Sequence, residues 1–206
     1  MVDLSDSHID PTAVVIEGYA SRPRSAAMQS ALDEIFFTSS SIKEFADDDA
    51  RAKFRHRWLG RYLENWPELT LLAIAWPGTR QEVLAGYLVG CLIDPATLRE
   101  FDDIGYFRAL APVTARFPAH LHINLAAPWR GYRIGQRLVE RFTEIASAAR
   151  VPGVHVVTAQ GMRNVKFYRQ CGFVEAACAS DDSKRKLLLL TRDLSSAPPR
   201  GGPPTD

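Results

Sequence analysis

Residues 119–137, AHLHINLAAPWRGYRIGQR, change their periodicity halfway along. From His120 to Ala126 polar and apolar residues alternate. His120, His122 and Asn124 fall on one face and Leu121, Ile123 and Leu125 on the other, the period of a β-strand. After Pro128-Trp129-Arg130-Gly131 the apolar positions Ile134, Leu138, Phe142, Ile145 and Ala149 recur at three- and four-residue steps, and Pro152-Gly153 closes the pattern. That is an amphipathic helix. The hexapeptide Arg130-Gly131-Tyr132-Arg133-Ile134-Gly135 occupies the junction, where backbone N–H groups and the positive helix end would receive an anion. Glycines let the backbone approach closely, and Arg130, Arg133 and Arg137 add charge that a diphosphate would neutralise. A glycine-containing loop capped by surface arginines accounts for the six residues equally well. The sequence contains neither GxGxxG nor GxxxxGK[ST], so the dinucleotide and Walker loops are set aside, and a nucleotide-dependent kinase with them.

Working outward, Val14-Val15-Ile16 predicts a strand, and Met28, Leu32, Ile35 and Phe36 a helix. A second helical stretch is expected from about Ile42 to Leu63, burying Phe45, Phe54, Trp58 and Leu59 and ending before Pro67. LTLLAIAW (69–76) and VLAGYLVGCLI (83–93) read as a hairpin about Pro77-Gly78-Thr79-Arg80. The long connection 95–119 has room for short helices near Ala96–Phe101 and Tyr106–Leu110. Downstream, GVHVVTA (153–159) is a strand and RNVKFYRQ (163–170) a helix stopped at Gly172. Another strand starts at Phe173-Val174-Glu175, and KRKLLLLTRDL (184–194) is the last. The fold class is mixed α/β (α+β) rather than a regular parallel sheet.

The hexapeptide resembles the (Arg/Gln)-x-x-Gly-x-(Gly/Ala) signature of the GNAT acyl-CoA N-acetyltransferase superfamily. A second segment, Phe167-Tyr168-Arg169-Gln170-Cys171-Gly172-Phe173, resembles the family's Phe-Tyr-x-x-x-Gly-Phe ending at the same distance along the fold. The resemblance covers about residues 13–194. More narrowly, the FPAHLHINL strand looks like bacterial GNAT proteins related to the acetyltransferase-like domain of O-GlcNAcases. The family fold would bring a mostly antiparallel sheet with splayed central strands and flanking helices. One position departs: Arg133 stands where the family usually has glycine. Its N–H remains available, while the lost flexibility bears on the shape of the loop and the strength of cofactor binding.

The resemblance implies acetyl-CoA as acyl donor, with no metal, and direct attack by a primary amine in a ternary complex. Backbone groups of Leu125, Ala126 and Ala127 would bond the pantetheine arm and thioester carbonyl, and Arg130, Gly131, Tyr132, Arg133, Ile134, Gly135, Gln136 and Arg137 the pyrophosphate. Asn164 and Phe167 would lie along the same ligand. Arg163, Lys166 and Arg169 form a basic face that is solvated or meets the 3′-phosphate. Tyr168 matches the family position whose phenol protonates the coenzyme A sulfur; as a plain core aromatic it would only pack the last helix on the sheet. His120 and His122, two residues apart on a strand, share a face, and an imidazole suits proton removal from an ammonium group. Arylalkylamine N-acetyltransferases carry His-x-His on this strand one residue further from the phosphate loop, and a one-residue shift reverses the face. That comparison leaves the acceptor unassigned. His155 reads as packed or solvent-facing, and Asp102, Asp103, Tyr106 and Phe107 as an amine pocket or a solvated acidic turn. Two functions stand on this reading. Tyr168 and the histidines favour an enzyme, and Arg133 favours a non-catalytic acyl-CoA-binding or protein-interaction module.

Composition sets the outer bounds. At 206 residues one domain is expected, over 13–194, with 1–12 and the Pro/Gly-rich 195–206 disordered. A formal charge of +1 provides no broad attraction for nucleic acid or anionic membrane. The first residues lack the basic and apolar regions of a secretory signal, and the longest apolar run, Leu187 to Leu190, is far below the ~18 residues of a membrane span. A cytoplasmic protein is expected. Cys91, Cys171 and Cys178 make neither an even framework nor a CxxC pair, so disulfide and zinc readings fall away. The expected partner is a small-molecule or peptide amine, and a homodimer is compatible with the family.

Overall fold

The computed structural model describes residues 10–181 and 183–195. The expected disordered ends lie outside these residues except for Asp10–Thr12, which join a short 3-10 turn at Pro11–Ala13, and Ser195. The strands are β1 (Val14–Gly18), β2 (Leu71–Ala75), β3 (Val83–Cys91), β4 (Ala119–Leu125), β5 (Gly153–Ala159), β6 (Val174–Ser180) and β7 (Lys186–Asp193). The helices are α1 (Ala26–Ser39), α2 (Asp48–Arg55), α3 (Arg61–Asn65), α4 (Tyr106–Thr114), α5 (Ile134–Ala148) and α6 (Asn164–Gln170). No helix among the described residues is long and apolar enough to cross a membrane.

The strand order is β1-β2-β3-β4-β5-β7-β6. β1 with β2, β2 with β3, β5 with β7 and β6 with β7 are antiparallel, and β4 with β5 is parallel. This is the mostly antiparallel mixed sheet expected of the family. The β4–β5 ladder has two residue pairs, Ala119–Val154 and His120–His155.

The chain forms two compact units. Among the described residues, the first contains those up to Cys91 and Leu121–Phe142, and the second Leu92–His120 and those from Thr143 on. β4 and α5 thus each contribute to both.

In the first unit the core gathers Leu32, Phe36, Leu59, Tyr62, Leu72, Ile74, Leu88, Trp129, Ile134, Leu138 and Phe142. The second helical stretch begins later than its apolar spacing suggests, at Asp48, because the Asp47 side chain accepts the Ala50 N–H at 2.7 Å and caps the helix. Between α2 and α3 the backbone widens into a π turn at His56–Gly60. An ordinary α-helix buries residues three and four apart, whereas here Leu59 through Leu63 are buried consecutively. Trp58, read from its spacing as a core residue, is only partly covered.

β3 bulges opposite β2: Ala73 faces Gly86 and Ile74 faces Leu84, which leaves Ala85 as the extra residue. The Ala85 carbonyl accepts the Ala126 N–H at 2.9 Å. The bulge therefore holds the end of β4, the segment assigned to the cofactor arm.

In the second unit Phe101, Ile104, Phe107, Leu110, Val154, Val156, Phe173 and Leu187 to Leu190 are buried. The long connection is built of 3-10 turns at Pro95–Thr97 and Arg99–Phe101 followed by α4, which packs against β6. Gly153 at the start of β5 stands against the Phe117 ring and the Arg192 carbonyl, a closeness only hydrogen as side chain permits.

Candidate active site

The β4–α5 junction lies wholly in the first unit. After Leu125, a 3-10 turn at Ala127–Trp129 seats Trp129 in the core, where its ring meets Trp76 edge-on at 5.4 Å. The chain then turns through two left-handed residues, Gly131 at φ 88° and Arg133 at φ 61°. Arg133 thus adopts the backbone conformation that glycine takes most readily, and the loop keeps its turn without glycine. A Cβ on Gly131 would meet nothing within 4 Å, so this stretch of backbone is open to a ligand.

The first helical bond of α5 at the junction runs from Arg137 N–H to Arg133 carbonyl, over 3.1 Å. The N–H groups of Ile134, Gly135 and Gln136 precede that ladder and carry the positive end of the helix dipole. Ile134 and Gly135 are buried, Gln136 is partly covered, and Tyr132 and Arg133 are exposed. This arrangement fits a pyrophosphate.

Two of the three arginine side chains bond to neighbouring elements. Arg130 donates from Nε to the Leu125 carbonyl at 3.0 Å and from a terminal nitrogen to Ser39 Oγ at 3.1 Å, tying the loop to β4 and α1. Arg137 donates to the Val14 carbonyl at 2.6 Å and the Pro11 carbonyl at 3.4 Å, fastening β1 to α5. Both guanidinium groups are thus bonded within the protein, while the Arg133 side chain is exposed at the turn.

Beside this loop, on the same strand, His122 lies between two rings. Its Nε2 is 3.1 Å from the Tyr62 hydroxyl, and the rings of Trp58 and Tyr62 meet it edge-on at 5.3 and 5.4 Å. Asn124, next along the face, donates to the Tyr87 hydroxyl at 2.9 Å. Burial raises the Tyr87 phenol above its ordinary value, against the opposing effect of the Asn124 bond, so it is neutral at physiological pH. Tyr62 and Tyr87 were absent from the sequence-based site. The signal for Tyr62 was its place four residues beyond Trp58.

In the second unit His120 is buried, with the rings of Phe101 at 4.9 Å and Phe107 at 6.0 Å and the His155 ring stacked at 5.5 Å. His155 Nδ1–H donates to the Phe117 carbonyl at 2.5 Å. Burial is the main cause that holds its pKa down at about 4, so it is neutral and packed. Phe107 is a core residue here. Tyr106 is partly exposed, while Asp102 and Asp103 are exposed and Asp102 pairs with Arg108 at 3.7 Å.

Tyr168, on α6, is buried between Phe167 and Phe173, whose rings lie at 5.2 and 5.7 Å. Desolvation raises its phenol above the ordinary value and keeps it protonated. Asn164, exposed at the first turn of α6, accepts from the Thr158 hydroxyl at 2.9 Å. Arg163 and Lys166 are exposed, and Arg169 is paired with Glu175.

The chain is similar to several solved structures. It aligns with the protein SsHAT at 22% identity and a TM-score of 0.66, covering 88% of this chain and 98% of that one. With yncA from Salmonella typhimurium, solved with its cofactor acetyl-CoA, the identity is 18% and the TM-score 0.54, over 92% and 99%. With ribosomal-protein-alanine N-acetyltransferase from Brucella melitensis the identity is 17% and the TM-score 0.54, over 87% and 99%. At these identities the likeness carries the fold alone. The sequence profile of the Acetyltransferase (GNAT) family matches residues 37–173, a span that holds the loop before α5, both histidines of β4 and Tyr168. The chain therefore belongs to the GNAT acetyltransferase family and is an N-acetyltransferase.

Proposed function

We propose that this chain moves the acetyl group of acetyl-CoA to a primary amine by direct attack in a ternary complex, in the cytoplasm. The observation that carries the reading is the start of α5: three N–H groups ahead of the helical ladder, after a loop whose two left-handed residues bring the backbone into the open. In this reading Gly131, Tyr132, Arg133, Ile134, Gly135 and Gln136 hold the pyrophosphate. Backbone groups of Leu125, Ala126 and Ala127 orient the pantetheine arm and the thioester carbonyl, with Asn164 and Phe167 along the same ligand. Orientation of two bound reactants removes much of the entropic barrier to attack.

An amine must lose a proton before or as it attacks. Of the two histidines on β4, His122 is partly exposed and His120 is buried, so His122 takes this role. Negative charge then develops on the departing sulfur. The Tyr168 phenol, protonated through its burial, meets that charge with a hydrogen bond. A phenol so raised is a weaker acid than a thiol of ordinary pKa near ~8.5, so its proton transfers only as another replaces it. The net proton on the sulfur is the one the amine released. Assaying free thiol release across a panel of primary amines tests the proposal. Turnover with an amine, and none with water as acceptor, is the expected result.

A further inference from the structure

We propose that Tyr62 is a positioning residue for His122: its phenolic oxygen accepts the Nε2–H of the imidazole and so assigns Nδ1 as the proton-accepting atom. The inference rests on the reading above that His122 receives the proton of the amine. Tyr62 is buried outright, and its hydroxyl stands 3.1 Å from Nε2. The ring of His122 is held edge-on by Tyr62 at 71° and by Trp58 at 77°, so two perpendicular contacts and one hydrogen bond fix its plane.

The backbone that provides these rings is unusual. Trp58 lies within the π turn His56–Gly60, and Tyr62 follows it on α3. Single π turns inside α-helices are uncommon and concentrate at functional sites. Here the widened turn lets Leu59 through Leu63 be buried in succession while Trp58 remains partly exposed beside the histidine.

The direction of the bond follows from what a base must do. A phenol can donate or accept, but an imidazolium only donates. Were Tyr62 to donate into the Nε2 lone pair, that nitrogen would be occupied, and protonating it would require the hydroxyl to turn round and accept at the moment of catalysis. With Tyr62 accepting, the bond survives in both states and strengthens when the donor is charged. Tyr62 then raises the pKa of His122. The other ionisable groups on the surrounding elements are Tyr87 on β3, Arg61 and Glu64 on α3, His56 and Arg57 in the π turn, and on α1 and α2 the Asp33–Arg55 pair with Glu34, Asp48, Asp49, Arg51 and Lys53. Asp33 and Arg55 neutralise one another at 2.6 Å, and Glu64 is solvent-exposed, 3.6 Å from His56.

The test is Tyr62→Phe, which keeps the ring and removes the acceptor. Two readouts are followed: the NMR titration of the His122 ring protons, and the acidic limb of kcat against pH with a primary amine. Both are expected to move down by about half to one pH unit, with kcat about three- to tenfold lower and the KM for acetyl-CoA unchanged. In a His122→Ala background the same substitution is expected to leave kcat within about twofold, since the two act as a unit. An unmoved NMR titration overturns the proposed hydrogen bond whatever the activity. A titration that moves while the kinetic limb does not overturns the assignment of His122 as base, and the positioning role with it.

Discussion

Gly86 of β3 and Leu125 of β4 approach so closely that a Cβ on Gly86 would run into the Leu125 side chain and stand 2.8 Å from the Asn124 carbonyl. Gly153 holds a similar position in the second unit, where a Cβ would strike the Phe117 ring and come within 2.9 Å of the Arg192 carbonyl. Overpacking of this kind costs about 1–3 kcal/mol, so Gly86→Ala and Gly153→Ala should both lower the melting temperature by several degrees. They should differ in function. Gly86→Ala displaces the end of β4 and is expected to raise the KM for acetyl-CoA several-fold, while Gly153→Ala leaves it near the wild-type value. Steady-state kinetics below the melting temperature of both variants compares them.

Arg133 at φ 61° occupies a conformation that costs a side-chain-bearing residue about 1 kcal/mol relative to glycine. Arg133→Gly should therefore keep acetyl-CoA binding within about threefold and leave stability unchanged or higher, because the turn is already formed. A large loss of affinity would show that the Arg133 side chain, rather than its N–H, contacts the ligand. Calorimetric titration reads the difference.

Acid sensitivity should arise in part from His155. Its folded pKa of about 4 lies below the ordinary 6.5, so the unfolded chain binds the proton more readily. Stability is then complete above about pH 6.5 and falls as pH drops towards 4, by about 3 kcal/mol in all. His155→Phe should weaken the fold at pH 7, because the Phe117 carbonyl loses its donor, yet flatten the decline between pH 6.5 and 4. Urea unfolding at a series of pH values shows whether that slope changes.

Tyr168→Phe should slow turnover while leaving acetyl-CoA affinity nearly intact, because the phenol acts on charge that develops late in the reaction. A hydrogen-bond donor aimed at developing charge contributes about 100- to 1,000-fold. Removal of a hydroxyl that only packs would change turnover little. Wild-type turnover in Tyr168→Phe, with chemistry shown to limit the rate, would make Tyr168 a core residue between Phe167 and Phe173 and nothing more.

The alternation of 120–126 and the three- and four-residue spacing from Ile134 placed β4, the loop and α5 nearly to the residue, because local patterning decides a half-buried strand and an amphipathic helix. The same alternation put His120 and His122 on one face and could go no further. His120 is buried with Phe101 and His155, and His122 lies beside Trp58 and Tyr62, partners remote in sequence that no period of two reveals. The π turn was equally hidden, since the apolar content of 58–63 is compatible with an ordinary helix. Arg133 was legible as a departure from the family signature, while its left-handed backbone became visible only with coordinates. The capping of α2 by Asp47 was written in the run Asp47-Asp48-Asp49 and masked by the apolar spacing around it.

The proposed transfer depends most on acetyl-CoA being held at the start of α5. Calorimetric titration of the wild-type chain and of Gly135→Asp tests this directly, because Gly135 is buried in the first turn and an aspartate there adds bulk and negative charge where the pyrophosphate is placed. Saturable binding to the wild type is expected, with a melting temperature that rises with ligand, and the loss of both in a Gly135→Asp chain that still folds. Identical titrations of the two folded proteins would contradict it.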